Sequence, residues 1–373
     1  MTNKSFKIIL IVLIFLSNGC EEATNQLSIG DWYIDRYNYS IPLIADIRND
    51  GIERSYINDE SAVYEMTYEN GKWIKTNICD TDINSLVAAC CYHDGVTRLY
   101  GFYDGNIYEI EYSGDNWSVE LIYAIHYVLP DTWVNIFVGD SRNEGFESLY
   151  LNYYGTDTNP MVQWEPDVHP VLSELSFRNG KWEENIIENS FSNLETVVDI
   201  AVGDGRVEGK DYIYVIDCYF TLAEYSYDTG SGWHRTIVDQ VLPLDPYVTY
   251  FPGPNIEVYP VLDNQSSIFV SAWEIFWEYR YQNNIWRRYK IGDLAPDLIR
   301  GGIGRNDGIN RIYCAAEDLL EFTYNNSSWE KTAHVTMKEF IKDIVIGPGR
   351  GDGIQRIYLY QENQGTFELT YKY

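Results

Sequence analysis

The sequence predicts an all-β protein: a single seven-bladed β-propeller of four-stranded antiparallel blades, its ring closed by the N-terminal strand joining the last blade. Three observations support this fold class. One motif recurs seven times along the 373 residues, the segments around it alternate apolar and polar side chains as strands do, and the start of the folded chain supplies a piece that the last copy lacks. Both the hydrophobic fraction (45%) and the charged fraction (22%) are typical of a globular protein.

The first repeat shows the motif. A turn of the form Arg-x-Asp/Glu-Gly begins at Arg48, and the strand segment Arg54-Ser55-Tyr56 starts three residues after its glycine. Glu65 follows with an aromatic residue three positions later, and Trp73 lies eight residues after Glu65. Intact turns begin at Arg48, Arg142, Arg206, Arg305 and Arg350, and degenerate ones at Tyr92 and Val261. The 354 residues that follow the predicted signal, divided among seven copies, give about 51 residues per unit.

The seventh repeat ends at Tyr373 before reaching its tryptophan, and residues 30–34 match residues 71–75 of the first repeat. We therefore expect the first strand of the folded chain to complete the last blade. The predicted propeller spans 29–373, with approximate blades 38–79, 80–125, 126–190, 191–240, 241–292, 293–336, and 337–373 with 29–37.

The N-terminus predicts export. Two lysines, an apolar run over 8–16 and small residues before Cys20 are typical of a secretory signal, and the run is too short to span a bilayer. The segment resembles a bacterial lipoprotein signal, and the resemblance implies removal of residues 1–19, lipidation of Cys20 and a lipidated tether over 20–28. The expected location is the cell envelope, at the outer membrane or the cell surface, with the lipid as the only membrane contact.

Charge and cysteine content limit the partners. A net charge of −29 argues against nucleic-acid binding, which needs clustered Lys and Arg, and favours a monomeric ring. Five cysteines follow Cys20, an odd number, and the sequence does not determine their pairing: Cys79, Cys90, Cys91, Cys218 and Cys314.

Calcium binding is the alternative to a purely structural role for the turns. Asp46, Arg48 and Asp50 have the spacing of a calcium loop, but an arginine occupies the central ligand position, where an oxygen is needed. We expect no metal and no cofactor, with the glycine of each turn at positive φ and the arginine paired with nearby carboxylates.

Part of the repeat resembles that of the fungal fucose-binding lectins, which are also propellers. In those lectins an arginine, a glutamate and an aromatic residue hold the sugar between blades, so the resemblance implies ligand-binding trios in this chain, while an ion pair within each blade remains the alternative. The trios are Arg54/Glu65/Trp73, Arg98/Glu109/Trp117, Arg311/Glu321/Trp329, and Arg356/Glu368 with Trp32.

The irregular parts of the ring predict a different site. The third repeat carries an insertion from Asn152 to Val171, and the linkers that lead into repeats three, four and five are long. In a four-stranded blade these connections emerge on one face, here called the long-loop face, so we expect a binding site over blades three to five. Its candidate residues are Trp133, Tyr153, Tyr154, Trp164, Glu165, Asp167, His169, Tyr247, Tyr250, Phe251 and Trp273. The same aromatics could instead pack the loops over the channel.

Aromatic side chains beside carboxylates suit sugar rings or a docked protein segment. No nucleophile motif or phosphate-binding loop is present, so we expect a non-catalytic module that binds a glycan. The alternatives are a protein-interaction scaffold in the envelope and a polysaccharide lyase or hydrolase with its site at the channel mouth.

Overall fold

The computed structural model describes residues 27–29, 31–37, 39–59, 61–125, 134–156, 168–189, 197–241, 254–262, 265–272, 275–294, 296–315, 318–337 and 339–372. Within these ranges the regular structure consists of 29 strands in seven antiparallel sheets, with no helix. The prediction of an all-β seven-bladed propeller is confirmed. No helix long and apolar enough to cross a membrane occurs in the same ranges.

Six blades follow one another along the chain, each with four strands in sequential order from the channel outwards. Blades 1 to 3 consist of β3 Leu43–Ala45, β4 Arg54–Asp59, β5 Ala62–Glu69, β6 Lys72–Cys79; β7 Asn84–Ala89, β8 Arg98–Tyr103, β9 Asn106–Ser113, β10 Asn116–Ala124; and β11 Asn135–Gly139, β12 Ser148–Thr156, β13 Val168–Arg178, β14 Lys181–Glu188. Blades 4 to 6 consist of β15 Val197–Gly203, β16 Tyr212–Asp217, β17 Thr221–Asp228, β18 Gly232–Gln240; β19 Asn255–Leu262, β20 Gln265–Ala272, β21 Ile275–Gln282, β22 Ile285–Gly292; and β23 Leu298–Gly302, β24 Arg311–Ala315, β25 Asp318–Asn325, β26 Ser328–Thr336.

Blade 7 joins the two ends of the chain. Strands β27 Asp343–Gly347, β28 Arg356–Gln361 and β29 Gly365–Tyr371 are completed by β2 Trp32–Arg36, which pairs Trp32 with Tyr371 and Arg36 with Phe367. This confirms the predicted closure. A fifth strand, β1 Leu27–Ile29, pairs along the outer edge of β2, so the last two residues of the predicted 20–28 tether belong to a strand.

The core lies between the blades. Seven separate clusters of buried apolar side chains fill the seven interfaces, one for each pair of neighbours. The second-strand aromatic of one blade meets the tryptophan of the next with centroids about 6 Å apart, as in Tyr56 with Trp117 and Tyr214 with Trp286. Much of the aromatic excess in the sequence therefore joins blades together.

The turn between the first two strands of a blade satisfies its own polar groups. In blade 1, the two carboxylate oxygens of Asp46 accept hydrogen bonds from the backbone N–H groups of Asp50 and Gly51. Gly51 has φ +82°, a conformation that favours glycine. Asp140 and Asp204 accept the equivalent bonds in blades 3 and 4.

These turns and the hairpins between third and fourth strands define one face of the ring, here called the turn face; the long-loop face is opposite. Among the described strands, blade 3 has the longest second and third strands because the predicted insertion is partly strand. Its strands β12 and β13 continue to the pair Thr156 and Val168, and residues 157–167 of the insertion lie outside the described ranges.

Candidate functional site

A buried glutamate of the third strand forms the centre of a polar cluster near the turn face of each blade. In blade 1, Glu65 is fully buried, and the turn arginine Arg48 donates to it from Nε at 2.9 Å and from Nη2 at 2.5 Å. The same turn-arginine pairs are Arg142–Glu174, Arg206–Glu224, Arg305–Glu321 and Arg350–Glu368. Blade 5 has no arginine in its turn, and Arg280 of the third strand pairs with Glu278 at 2.6 Å instead.

Each of these guanidinium groups also stacks on a tyrosine of the following blade. The distance from Arg48 Cζ to the ring centroid of Tyr112 is 4.5 Å, and that from Arg350 Cζ to the Tyr68 ring, across the point of ring closure, is 3.9 Å. The other stacked pairs are Arg142–Tyr227, Arg206–Tyr281, Arg280–Tyr324 and Arg305–Tyr371. An ion pair within one blade is thereby coupled to a cation–π contact between blades.

The interface between blades 2 and 3 is built differently. Tyr92 replaces the turn arginine, and its ring packs on Phe177, which replaces the stacked tyrosine, with centroids 4.4 Å apart. The nearest cation to Glu109 is then Arg98, whose Nε lies 3.7 Å from Oε1, and burial raises the pKa of the Glu109 carboxyl. A shallow cavity of about 360 Å³ opens on the turn face here, lined by His93, Glu144, Phe146, Arg178 and Asn179.

The structure does not bring the lectin-like trios together within a blade. Arg54 and Glu65 lie on one face of their sheet, whereas Trp73, which pairs across the strands with Tyr68, lies on the other. In blade 5 a tryptophan of the next blade takes this place: Trp329 Nε1 donates to Glu278 at 2.8 Å, although Trp329 belongs to the same repeat as Glu321. Sequence spacing within one repeat cannot reveal this exchange because it arises between repeats.

The arginines of the trios have two carboxylate partners. Arg54 pairs with Asp50 of the turn at 2.7 Å and with Glu65 at 3.3 Å. Arg98, Arg311 and Arg356 repeat this arrangement with Asp94 and Glu109, Asp307 and Glu321, and Asp352 and Glu368. In blades 1, 6 and 7 the glutamate is thus enclosed by two arginines, and Trp73, Trp117 and Trp329 pack on aromatic rings.

Three of the predicted loop-face residues are described, and they do not form one surface. Tyr153 is 5% exposed, faces blade 2 and donates from its hydroxyl to Glu184 at 2.9 Å. Tyr154 is 38% exposed and points to the opposite side of the hairpin, and His169 shares the side of Tyr153. The remaining candidates lie outside the described residues: Trp133, Trp164, Glu165, Asp167, Tyr247, Tyr250, Phe251 and Trp273. The predicted signal at 1–19 and Cys20 also lie outside them.

A second cavity lies on the long-loop side of the channel. It has a volume of about 490 Å³ and is formed where the inner strands of blades 7, 1 and 2 begin. Apolar side chains supply most of its wall, including Leu43, Leu86 and Val345, and the polar groups come from Ser40, Asn58, Asn84, Ser85 and Asp343. A pocket of this size that is mainly apolar, with a few polar groups, is typical of small-ligand sites.

The channel wall continues from this cavity as a chain of charged groups on blades 7 to 4. Arg300 Nη2 donates to Asp343 Oδ1 at 3.4 Å, and Arg300 Nη1 lies 3.9 Å from Glu257 Oε2. Side-chain exposures of 32%, 35% and 23% for Asp343, Arg300 and Glu257 show that these groups are accessible from the channel. Asp199 lies further along, where it accepts from Asn255 Nδ2 at 2.7 Å. We call these four charged residues the charged wall.

The charged wall carries three carboxylates and one guanidinium. Desolvation raises the pKa of Glu257 to about 7, because the arginine at 3.9 Å and one long hydrogen bond from Gly301 N compensate its charge only in part. Desolvation also raises the pKa values of Asp343 and Asp199. Sequence reasoning missed this wall. The available signal was a charge at the inner-strand position that is apolar in five blades: Glu257 and Arg300 stand where Leu43, Val87, Phe137, Ala201 and Val345 stand.

Within the described ranges, no group of three or more His, Cys, Asp or Glu side chains is arranged to hold a metal ion. Cys79, Cys90, Cys91 and Cys314 are free thiols, and burial raises the pKa of the Cys91 thiol.

Comparisons with known proteins identify the fold. No protein-family model and no curated protein matches the chain. The BP39L lectin from Burkholderia pseudomallei superposes with a TM-score of 0.60 at 10% identity, covering 90% of this chain and 97% of the lectin. The BBS1N structure solved in complex with ARL6DN gives 0.56 at 11% identity, covering 89% and 92%. Both are similar to this chain in fold.

A fungal lectin from Aleuria aurantia, with a six-bladed propeller and a fucose recognition mode, matches less closely. Its TM-score is 0.42 at 16% identity, covering 76% of this chain and 91% of the lectin, a likeness too loose to support an argument.

Proposed function

We propose that this propeller is a non-catalytic glycan-binding module that takes its ligand at the channel mouth on the long-loop face. The observation that carries the proposal is the cavity of about 490 Å³ on that side of the channel, with an apolar wall and a polar rim that includes Asn58 and Asp343. A pyranose ring has an apolar C–H face and hydroxyl edges, so it matches a wall of this kind. The superposed bacterial propeller is itself a lectin, which is consistent with the proposal.

The interblade clusters are poorer candidates for a sugar site. A ligand that approached Glu65 would have to displace the hydrogen bonds from Arg48 and also the stacking of Arg48 on Tyr112. Breaking a buried ion pair costs several kcal/mol. The proposal therefore prefers the channel mouth, where the cavity already exists.

The proposal includes export and a lipid anchor at Cys20, and location in the cell envelope. These parts rest on the N-terminal sequence. Labelling with a fatty-acid analogue in a bacterial host tests the anchor: wild type should incorporate the label and Cys20→Ala should not.

A glycan array tests the binding function. The probe is the chain from residue 21 onwards, and the matched variant is Leu43→Arg, which places a long charged side chain on the apolar wall of the cavity. We expect wild type to bind a restricted set of glycans and the variant to lose at least part of that binding while it melts like wild type.

Two array results contradict the proposal in different ways. Equal binding by wild type and the variant would refute a site in the cavity at the channel mouth. A complete lack of glycan binding, with a defined envelope protein captured by wild type and lost in the variant, would favour protein docking, as in the BBS1N structure solved with a partner.

A further inference from the structure

We propose that the cavity at the channel mouth selects sugars that carry an acetamido group, with the amide of the ligand against the side-chain amide of Asn58 and its methyl group against the apolar wall. This inference deepens the proposed function and rests on it. It names a ligand class, N-acetylated hexosamines, and the side chain that recognises the amide.

The side-chain amide of Asn58 lines the cavity and is poorly hydrogen-bonded. Its Nδ2 lies 3.5 Å from Asp82 Oδ1 and 3.4 Å from Asn84 Oδ1, and both distances are long for a hydrogen bond. Its Oδ1 is buried and has no hydrogen-bond partner among the described residues. A buried acceptor without a donor costs free energy, so a ligand that supplies the missing hydrogen bonds gains affinity at this position.

A β-bulge shapes the same wall. The register of β7 shifts between Asn84 and Val87, so Ser85 and Leu86 lie opposite the single residue Gly101 of β8. Ser85 has φ +52°, in the left-handed region that few serines adopt. Both bulged residues line the cavity. Bulges often redirect side chains beside binding sites, so this irregularity is a second observation that points to a ligand at the cavity.

The apolar part of the wall is aliphatic. Leu43, Leu86 and Val345 contribute to it, and the one aromatic residue among the described lining residues, Tyr56, is fully buried. The cavity therefore presents no aromatic ring on which a sugar could stack. Burial of a methyl group against aliphatic side chains is the apolar contact that remains, and it favours binding.

The polar part of the wall favours a neutral group. The hydroxyl groups of Ser40 and Ser85 already donate to backbone carbonyl groups, at 2.6 and 2.5 Å. Among the described lining residues the one charged side chain is Asp343, a carboxylate, which would repel an anionic ligand. An acetamido group carries no charge. It offers an N–H and a carbonyl group to the amide of Asn58, and a methyl group to the wall.

Inhibition of glycan binding by four methyl glycosides tests the inference. The acetamido sugars are N-acetylglucosamine and N-acetylgalactosamine, and their partners are glucose and galactose, which carry a hydroxyl group in place of the acetamido group. Each is titrated against the binding of wild type to an array-selected glycan. At least one acetamido sugar should inhibit at a concentration about tenfold lower than its parent hexose, which corresponds to about 1.4 kcal/mol.

Two variants and a control separate recognition from structure. Asn58→Leu keeps the branched shape of the side chain but removes the amide, so it should lose most of the preference. It should melt close to wild type, because the bonds it gives up are long. Leu86→Ser shortens the aliphatic wall without changing the amide and should also reduce the preference. Asn77→Leu is the matched control: Asn77 is exposed on the outer strand of the same blade, so the preference should be unchanged.

The failures are distinguishable. Equal inhibition by the acetamido sugars and their parent hexoses would overturn the inference and leave glycan binding intact, since the array glycan is bound in the same assay. A preference that is unchanged in both Asn58→Leu and Leu86→Ser would overturn it as well. The absence of any glycan binding would overturn the proposed function itself.

Discussion

Removal of one turn arginine tests the coupling that we describe between blades. In Arg206→Met the aliphatic stem is kept, but Glu224, which is 1% exposed, loses its cation. Tyr281 of the next blade also loses both the stacked guanidinium at 4.6 Å and the donor to its hydroxyl at 3.2 Å.

The expected cost follows from these contacts. Leaving a buried carboxylate without its partner costs about 3–5 kcal/mol, and the low end applies because Arg206 is 22% exposed. The lost cation–π contact adds about 1 kcal/mol. A total of about 4 kcal/mol, divided by the unfolding entropy of roughly 2 cal/mol/K per residue over the whole ring, lowers Tm by about 6 °C.

Thermal unfolding followed by circular dichroism and calorimetry measures the effect. Arg287→Met provides a matched control, because Arg287 is an exposed arginine on the outer strand of blade 5, and it should change Tm by less than 1 °C. Adding Glu224→Gln to Arg206→Met removes the unpaired charge and should restore about half of the loss. An Arg206→Met protein that melts within 1 °C of wild type would refute the reasoning.

Three further predictions address particular residues. Combining Tyr92→Arg with Phe177→Tyr restores the stacked arginine–tyrosine pair of the other interfaces, so the double variant should have a higher Tm than either single variant. A double variant that melts below both single variants would contradict this prediction. Burial raises the pKa of Glu257 in the folded protein to about 7, above its value in the unfolded chain, so the folded state loses stability as pH rises from about 5 to 8. The Tm of wild type should therefore fall relative to that of Glu257→Gln over this pH range. Parallel Tm curves for the two proteins would contradict this prediction. A methyl group on Gly301 would lie 1.9 Å from Cγ of Tyr259, so Gly301→Ala should lower the free energy of unfolding, measured with urea, by about 1–3 kcal/mol. Adding Tyr259→Ala should restore part of this loss. An unchanged urea midpoint in Gly301→Ala would exclude the close contact.

The repeat predicted the fold because its spacing reports strands directly. The fixed distance from Gly51 to Arg54 places a turn before a strand in every blade, and the alternation around Glu65 gives its sheet pairing. Closure of the ring could also be predicted from the sequence, because the last repeat lacks the tryptophan that Trp32 supplies. The short strand β1 was not predicted because three residues carry too little periodicity.

The candidate site was less accessible to sequence reasoning. The sheet face that Trp73 occupies depends on the cross-strand register, and its neighbour across the interface depends on the geometry of the ring. The trio predicted from one repeat therefore combined side chains from opposite faces of the sheet. Tyr153 and Tyr154 diverge for the same reason, since adjacent strand residues alternate. Glu257 and Arg300 meet only because blades 5 and 6 are neighbours at the channel.

The structure of the protein with an array-selected glycan tests the central claim most directly, because it shows where the sugar lies. The account predicts the sugar at the channel mouth, with a ring against Leu43 and Val345 and a polar contact to Asp343. A sugar bound between blades, beside Glu65 and Trp117 with Arg48 displaced, would contradict it.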